Sequence, residues 1–217
     1  MSLAIFDLDN TLLRGDSDHA WGMFLIERHL VDGEHYRREN ERYYSQYKAG
    51  TLDIMEFLAF ALAPLARFDR ATLDTWHRDF MHAKIQPMIT ASARALVKTH
   101  CERGDTPLII TATNSFVTAP IAREFAIEHL LATEPEIANG RYTGRVAGTP
   151  CYREGKVVRL REWLAQHGET LENSWFYSDS HNDLPLLEAV THPVAVNPDD
   201  TLRQVATKRG WAVLQLD

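Results

Sequence analysis

The sequence predicts an α/β protein: a Rossmann-like core on a parallel sheet, carrying one all-helical insertion. Three observations predict it. The short apolar runs Leu3 to Phe6, Leu108 to Ile110 and Trp175 to Tyr177 each stop abruptly at a polar segment, as buried parallel strands do. From Pro87 onward such runs alternate with helix-period segments, a pattern that calls for right-handed parallel crossovers. From Asp16 to about Lys84, by contrast, aromatic-rich helical segments follow one another with no convincing strand between them.

The elements can be justified in order. Leu3 to Phe6 is the first strand and ends at Asp7-Leu8-Asp9-Asn10-Thr11. The helical block then starts at Asp16 or Ser17, continues after Asp32 through a polar stretch to Gly50, restarts at Asp53 with Glu56 in capping-box spacing, and starts again at Asp69. A helix from about Met88 to Arg103 stops at Gly104, and Leu108 to Ile110 forms a second strand running into Thr111. A helix from about Phe116 to Ala126 and a short strand from Leu130 to Thr133 come next. Gly140, Gly144, Gly148 and Pro150 then punctuate a hairpin flap reaching Arg153. Lys156 opens a helix that ends at Gly168, and Trp175 to Tyr177 is the third strand, ending at Ser178-Asp179. A helix from about Asp183 to Ala189, a strand at Val194 to Val196, a further helix and a strand near Trp211 to Leu214 complete the chain.

Composition narrows the function. The 217 residues carry 23 Lys and Arg against 30 Asp and Glu, a net charge of −7, and no basic run, so a nucleic-acid backbone is disfavoured as a partner. The apolar stretch from Phe57 to Ala66 falls short of the roughly 20 residues a membrane span needs, and no membrane association is expected. The N-terminus lacks the basic and long apolar regions of a signal peptide, and Cys101 and Cys151 have no partner motif. A cytoplasmic protein with reduced thiols is expected. Its ten histidines show no zinc-binding spacing. Trp21, Trp76, Phe57 and Phe60 read as core of the helical block, and Tyr43, Tyr44 and Tyr47 as lining of an entrance or an oligomer contact.

Three strands end in chemistry-bearing residues: Asp7 and Asp9, Thr111, and Asp179 with Asp183. In open α/β sheets ligands bind beyond the carboxyl ends of the strands, which brings such residues together. Carboxylates gathered there repel one another unless a hard cation joins them, and oxygen donors at this density point to Mg2+. Taken alone, Asp7-x-Asp9 reads more readily as a capped turn, Thr111 as a strand-end residue, and Lys156 as a solvated lysine.

The complete ordered set is Asp7-x-Asp9-x-Thr11, Thr111, Gly155-Lys156 and Asp179-Ser180-His181-Asn182-Asp183. It resembles the four motifs of the haloacid dehalogenase-like (HAD) phosphatases, and the insertion resembles the cap of the subgroup containing phosphoserine phosphatase, subfamily IB. The resemblance implies a catalytic core of residues 1–14 and 86–217, a helical cap of residues 15–85, and an aspartyl-phosphate mechanism. It implies Asp7 as nucleophile and Asp9 as general acid and base. The metal set would be Asp7, the Asp9 carbonyl and Asp179, with Asp183 orienting metal-bound water or Lys156. Thr111, Ala112 and Lys156 would hold the phosphoryl oxygens, and Asn182 the phosphoryl group or substrate. His181 stands where the subgroup commonly has a smaller residue.

A cap beside the nucleophile favours a small phosphomonoester. Asp16 falls where phosphoserine phosphatases place a glutamate that recognises the substrate amine. Their cap arginine, which holds the substrate carboxylate, has no counterpart in Phe57-Leu58-Ala59-Phe60-Ala61-Leu62. An amine without a carboxylate fits better, and histidinol phosphate meets that description. The alternatives are phosphoserine or another small metabolite, a phosphomutase, a phosphoacceptor signalling module and a catalytically inactive binding protein.

Overall fold

The computed structural model describes residues 2–216. Seven strands form one sheet: β1 (Leu3–Phe6), β2 (Thr106–Asn114), β3 (His129–Ala138), β4 (Arg141–Ala147), β5 (Trp175–Ser178), β6 (His192–Val196) and β7 (Ala212–Leu214), in the order β4-β3-β2-β1-β5-β6-β7. All neighbours are parallel except β3 and β4, which form the hairpin at one edge. The strand order reverses around β1, and register fixes what meets there. Phe6 pairs with Ile109 on β2 and with Tyr177 on β5, so Asp7 emerges one residue short of Thr111 and of Asp179.

Between β1 and β2 lie α1 (Ser17–Glu27), α2 (Gly33–Lys48), α3 (Ile54–Arg67) and α4 (Arg70–Phe80). Each has the expected aspartate at its N-cap, namely Asp16, Asp32, Asp53 and Asp69, whose carboxylates accept first-turn N–H groups. A π-turn (Met81–Ile85) and a 3-10 turn (Gln86–Met88) lead back to the core, so α5 (Ala91–Glu102) starts later than Met88, capped by Thr90. The Arg14 N–H donates to the Met88 carbonyl at 2.9 Å, so the two ends of the helical block leave the sheet side by side.

The remaining helices are α6 (Ser115–Glu124), α7 (Glu154–His167), α8 (Leu184–Leu187) and α9 (Asp200–Arg209). Alternation along β1 sends Ala4 and Phe6 to one face and Leu3 and Ile5 to the other. The first face packs with the helical block in a single apolar core that includes Trp21, Phe24, Leu62 and Phe80; the second is covered by α7 and α9 through Leu160, Trp163 and Leu202. Cys101 and Cys151 are free thiols. Among the described residues no helix is long and apolar enough to cross a membrane.

Two elements run longer than their sequence signals. β2 continues past Thr111 to Asn114, and β3 extends to Ala138, where it becomes one arm of the hairpin. In both cases the additional residues are mixed in polarity, and pairing with a neighbouring strand overrides the weak local pattern.

Candidate active site

Asp7 is 4% exposed and sits at the end of β1, its N–H bonded to the Tyr177 carbonyl at 2.9 Å. Lys156, from the first turn of α7 and 2% exposed, places Nζ 2.8 Å from Asp7 Oδ1 and 2.7 Å from Asp183 Oδ2. The Ser178 hydroxyl also donates to Asp183 Oδ2, at 2.7 Å. Thr11 stands between the two expected metal carboxylates: its hydroxyl oxygen lies 3.4 Å from Asp7 Oδ2 and 3.2 Å from Asp179 Oδ1, and accepts the Asp179 N–H at 3.1 Å.

The charges are unbalanced. Burial pushes Asp7 up to about 7, against the attraction of Lys156. Burial, then Asp7 and Asp183, hold Asp179 well above the ordinary carboxylate range. Burial disfavours the Lys156 charge, yet Asp183 and Asp7 outweigh it and raise its pKa. A single lysine thus serves several buried carboxylates, a donor set that fits a divalent cation. Among the described residues no three His, Cys, Asp or Glu side chains form a ready-made cage. The fit is to an ion that takes two carboxylates and leaves its other positions to a backbone oxygen, water and phosphate, as Mg2+ does.

Asp9 points the other way. Its Oδ2 accepts the Thr113 hydroxyl at 2.8 Å and lies 3.5 Å from Thr111 Oγ1, while Oδ1 accepts the Ser17 N–H at 2.6 Å. Burial, helped by Asp16, pushes its carboxyl up to about 6, against these hydrogen bonds. Thr113 is a site residue that sequence reading missed; its signal was the period-2 pair Thr111 and Thr113, which a strand ending at Thr111 hides.

Above these groups a narrow cavity opens between the helical block and the sheet. It is lined by Asp7, Asp9, Thr111, Ala112 and Thr113 from the core, and by Asp16, Asp18, His19, Asn40 and the rings of Tyr43, Tyr44, Tyr47 and Phe57 from the insertion. Phe57 therefore serves the cavity wall as well as core, whereas Trp21 is buried against Phe80 and Phe116. The three tyrosines line the cavity, as one of the two sequence readings held. Asp16 is both the N-cap of α1, accepting the His19 N–H at 2.9 Å, and a wall residue. No Lys or Arg among the described residues lines this cavity; the Lys48 ammonium, whose charge acts to lower the Asp16 pKa, lies over the Tyr44 ring.

Asn182 is not on the cavity wall. Its Nδ2 donates to the Tyr47 carbonyl at 3.0 Å, and its Oδ1 accepts from Tyr152 Oη at 3.2 Å and Arg153 Nε at 3.1 Å. Arg153 also donates to the Gly50 carbonyl. These bonds tie the end of α2 to the loop that carries Asp179. His181 turns away from Asp7, its ring and N–H both bonded to Asp199.

A buried aspartate-lysine pair beside further carboxylates, at the switch point of a parallel sheet, is the arrangement expected of a phosphate-ester hydrolase. Residues 4–188 match the family model of haloacid dehalogenase-like hydrolases, and the chain belongs to that family as one of its phosphatases. It is 49% identical to a histidinol-phosphatase of Neisseria meningitidis over 217 residues, covering 98% of each chain. It is 34% identical to a probable phosphatase of Mycobacterium tuberculosis, over 97% of this chain and 74% of that one. A crystal structure of a Bordetella pertussis protein of unknown function superposes with a TM-score of 0.93 at 49% identity, covering 98% of this chain and 97% of that one. A substrate-bound phosphoserine phosphatase shares the fold, with a TM-score of 0.73 at 16% identity over 98% of this chain and 92% of that one.

Proposed function

We propose that the chain is a Mg2+-dependent phosphomonoesterase that works through an aspartyl-phosphate on Asp7, and that its substrate is histidinol phosphate. The observation that carries the substrate is the cavity wall, which offers the Asp16 carboxylate and no Lys or Arg among the described residues. Such a wall receives an ammonium group and refuses a carboxylate. The relative from Neisseria meningitidis, named a histidinol-phosphatase, supports the same reading.

Residues 1–14 and 86–217 act as the catalytic core and residues 15–85 as the cap over it. Asp7, with Oδ1 held by Lys156, attacks phosphorus, and the substrate alkoxide leaves with a proton from Asp9. Water then attacks the aspartyl-phosphate, Asp9 takes its proton, and inorganic phosphate departs to restore the Asp7 carboxylate. Asp7, Asp179 and the Asp9 carbonyl would hold Mg2+, which when bound would supply the positive charge that lets an anionic carboxylate approach an anionic phosphate. Thr111, the Ala112 backbone and Lys156 donate to the phosphoryl oxygens, where transition-state charge is spread. Asp183 positions Lys156. Asn182 and Tyr47 hold the cap against the core beside them.

Phosphate release with Mg2+ from histidinol phosphate, phosphoserine, sugar phosphates and an aryl phosphate tests this, with Asp7→Asn as control. The expected kcat/KM is highest for histidinol phosphate and is abolished in the control. Equal or better turnover of phosphoserine overturns the substrate. Absence of any turnover would favour the phosphoacceptor alternative.

A further inference from the structure

We propose that Asp18 and Asn40 are specificity-determining residues that read the two N–H groups of a protonated imidazole ring in the cavity. The inference rests on the histidinol phosphate reading and deepens it. Amine recognition at Asp16 accounts for one nitrogen of that substrate and leaves its ring unexplained.

Asp18 lies in the first turn of α1 and lines the cavity, and its carboxylate has no hydrogen bond or ion pair among the described residues. It is not needed as a cap, since Asp16 already accepts the His19 N–H. Asp18 is partly buried at the cavity wall, and a carboxylate placed there without a partner gains from a ligand that brings a counter-charge. Burial, then Asp16 and Asp9, raise its pKa well above the ordinary value, as expected where a counter-charge is missing.

Asn40 comes from α2, is 6% exposed and lines the same cavity. Its Nδ2 donates to the His19 carbonyl at 3.3 Å, which leaves Oδ1 as an acceptor with no partner among the described residues. The close approach of α2 that brings it there depends on Gly22, where a Cβ would sit 2.8 Å from Asn40 Nδ2. Two acceptors without donors, set among the rings of Tyr43, Tyr47 and Phe57, match a flat cation that carries two N–H groups. The chemical class is an aminoalkyl phosphate bearing an imidazolium ring.

The test compares histidinol phosphate with phenylalaninol phosphate, which keeps the amine and the phosphate and replaces the ring by a phenyl group. In the wild type the ratio of their kcat/KM values should be large, and Asp18→Asn should lower that ratio at least about tenfold. A ratio is insensitive to partial loss of folded enzyme, whereas a role of Asp18 in stabilising the first turn of α1 would shift unfolding and leave the ratio alone. As a measurement on the unaltered protein, histidinol phosphate methylated on a ring nitrogen should be a poorer substrate by at least about tenfold. If the wild type favours histidinol phosphate over phosphoserine and the aryl phosphate, but the Asp18→Asn ratio is unchanged or the methylated ring is turned over equally well, the ring-reading role is overturned and the substrate stands. If the wild type does not favour histidinol phosphate, the substrate reading itself has failed.

Discussion

Asp9 Oδ1 accepts the backbone N–H of Ser17 at 2.6 Å, so the proposed acid-base catalyst of the core is held by the first residue of α1. The geometry of the proton transfer therefore depends on where the helical block sits. Asp9→Asn keeps an acceptor for Ser17 and removes the transferable proton. Its kcat should fall by about 10²–10⁴-fold while the far-ultraviolet and thermal unfolding signals of the fold persist. Steady-state kinetics alongside circular dichroism checks this.

Lys156 bridges two buried carboxylates, Asp7 and Asp183, at 2.8 and 2.7 Å and is the cation they share. Lys156→Met leaves both uncompensated. The expected loss is about 3–5 kcal/mol of stability in urea unfolding without Mg2+. Lys156→Arg should not restore activity, because a planar fork cannot replace a point charge in a site this enclosed.

Gly50 has a φ of +68°, and a Cβ there would lie 2.8 Å from His181 Nε2 and 3.0 Å from Arg153 Nη2. Gly50→Ala both strains the backbone and pushes on the group that ties α2 to the loop of Asp179. A loss of about 1–3 kcal/mol is expected, with a raised KM as the helical block seats less well. Unfolding and substrate-dependence curves on the same preparation measure both effects.

Under the sheet, His100 Nδ1 lies 2.8 Å from Asp105 Oδ2, and its Nε2 lies 2.8 Å from Tyr177 Oη. Burial acts to raise the Asp105 pKa, but hydrogen bonds from His100 and Ser2 outweigh it and hold the carboxyl below its ordinary value. A carboxyl depressed in the folded state contributes stability above its unfolded pKa of about 4 and loses it as pH falls through the folded value. Stability measured below about pH 4 should therefore fall less steeply in Asp105→Asn than in the wild type.

Much of this was legible in the chain because local rules and the fold agree. The run Leu3–Phe6 stops at Asp7 because a doubly covered strand must end where charge begins, and the four aspartate caps mark helix starts directly. Where tertiary packing decides, sequence was silent. Thr113 faces Asp9 only because β2 continues alongside β3, and Phe57, at a core-like helical spacing, reaches a cavity wall where its ring meets Tyr43 of α2. Arg153 adopts a φ of +50°, a conformation no arginine signals, and is held there in part by Gly50 and Asn182. Asp18 is one more acidic first-turn residue by its sequence position, and only in three dimensions is it seen to have no partner among the described residues.

Asp7 is the residue proposed to carry the phosphoryl group. Acid quenching during turnover of histidinol phosphate with Mg2+, followed by peptide mass spectrometry, tests it most directly. One phosphoryl group is expected on the peptide containing Asp7, fragmenting to Asp7 and absent in Asp7→Asn. A phosphoryl group on another residue, or full turnover by Asp7→Asn, would contradict it.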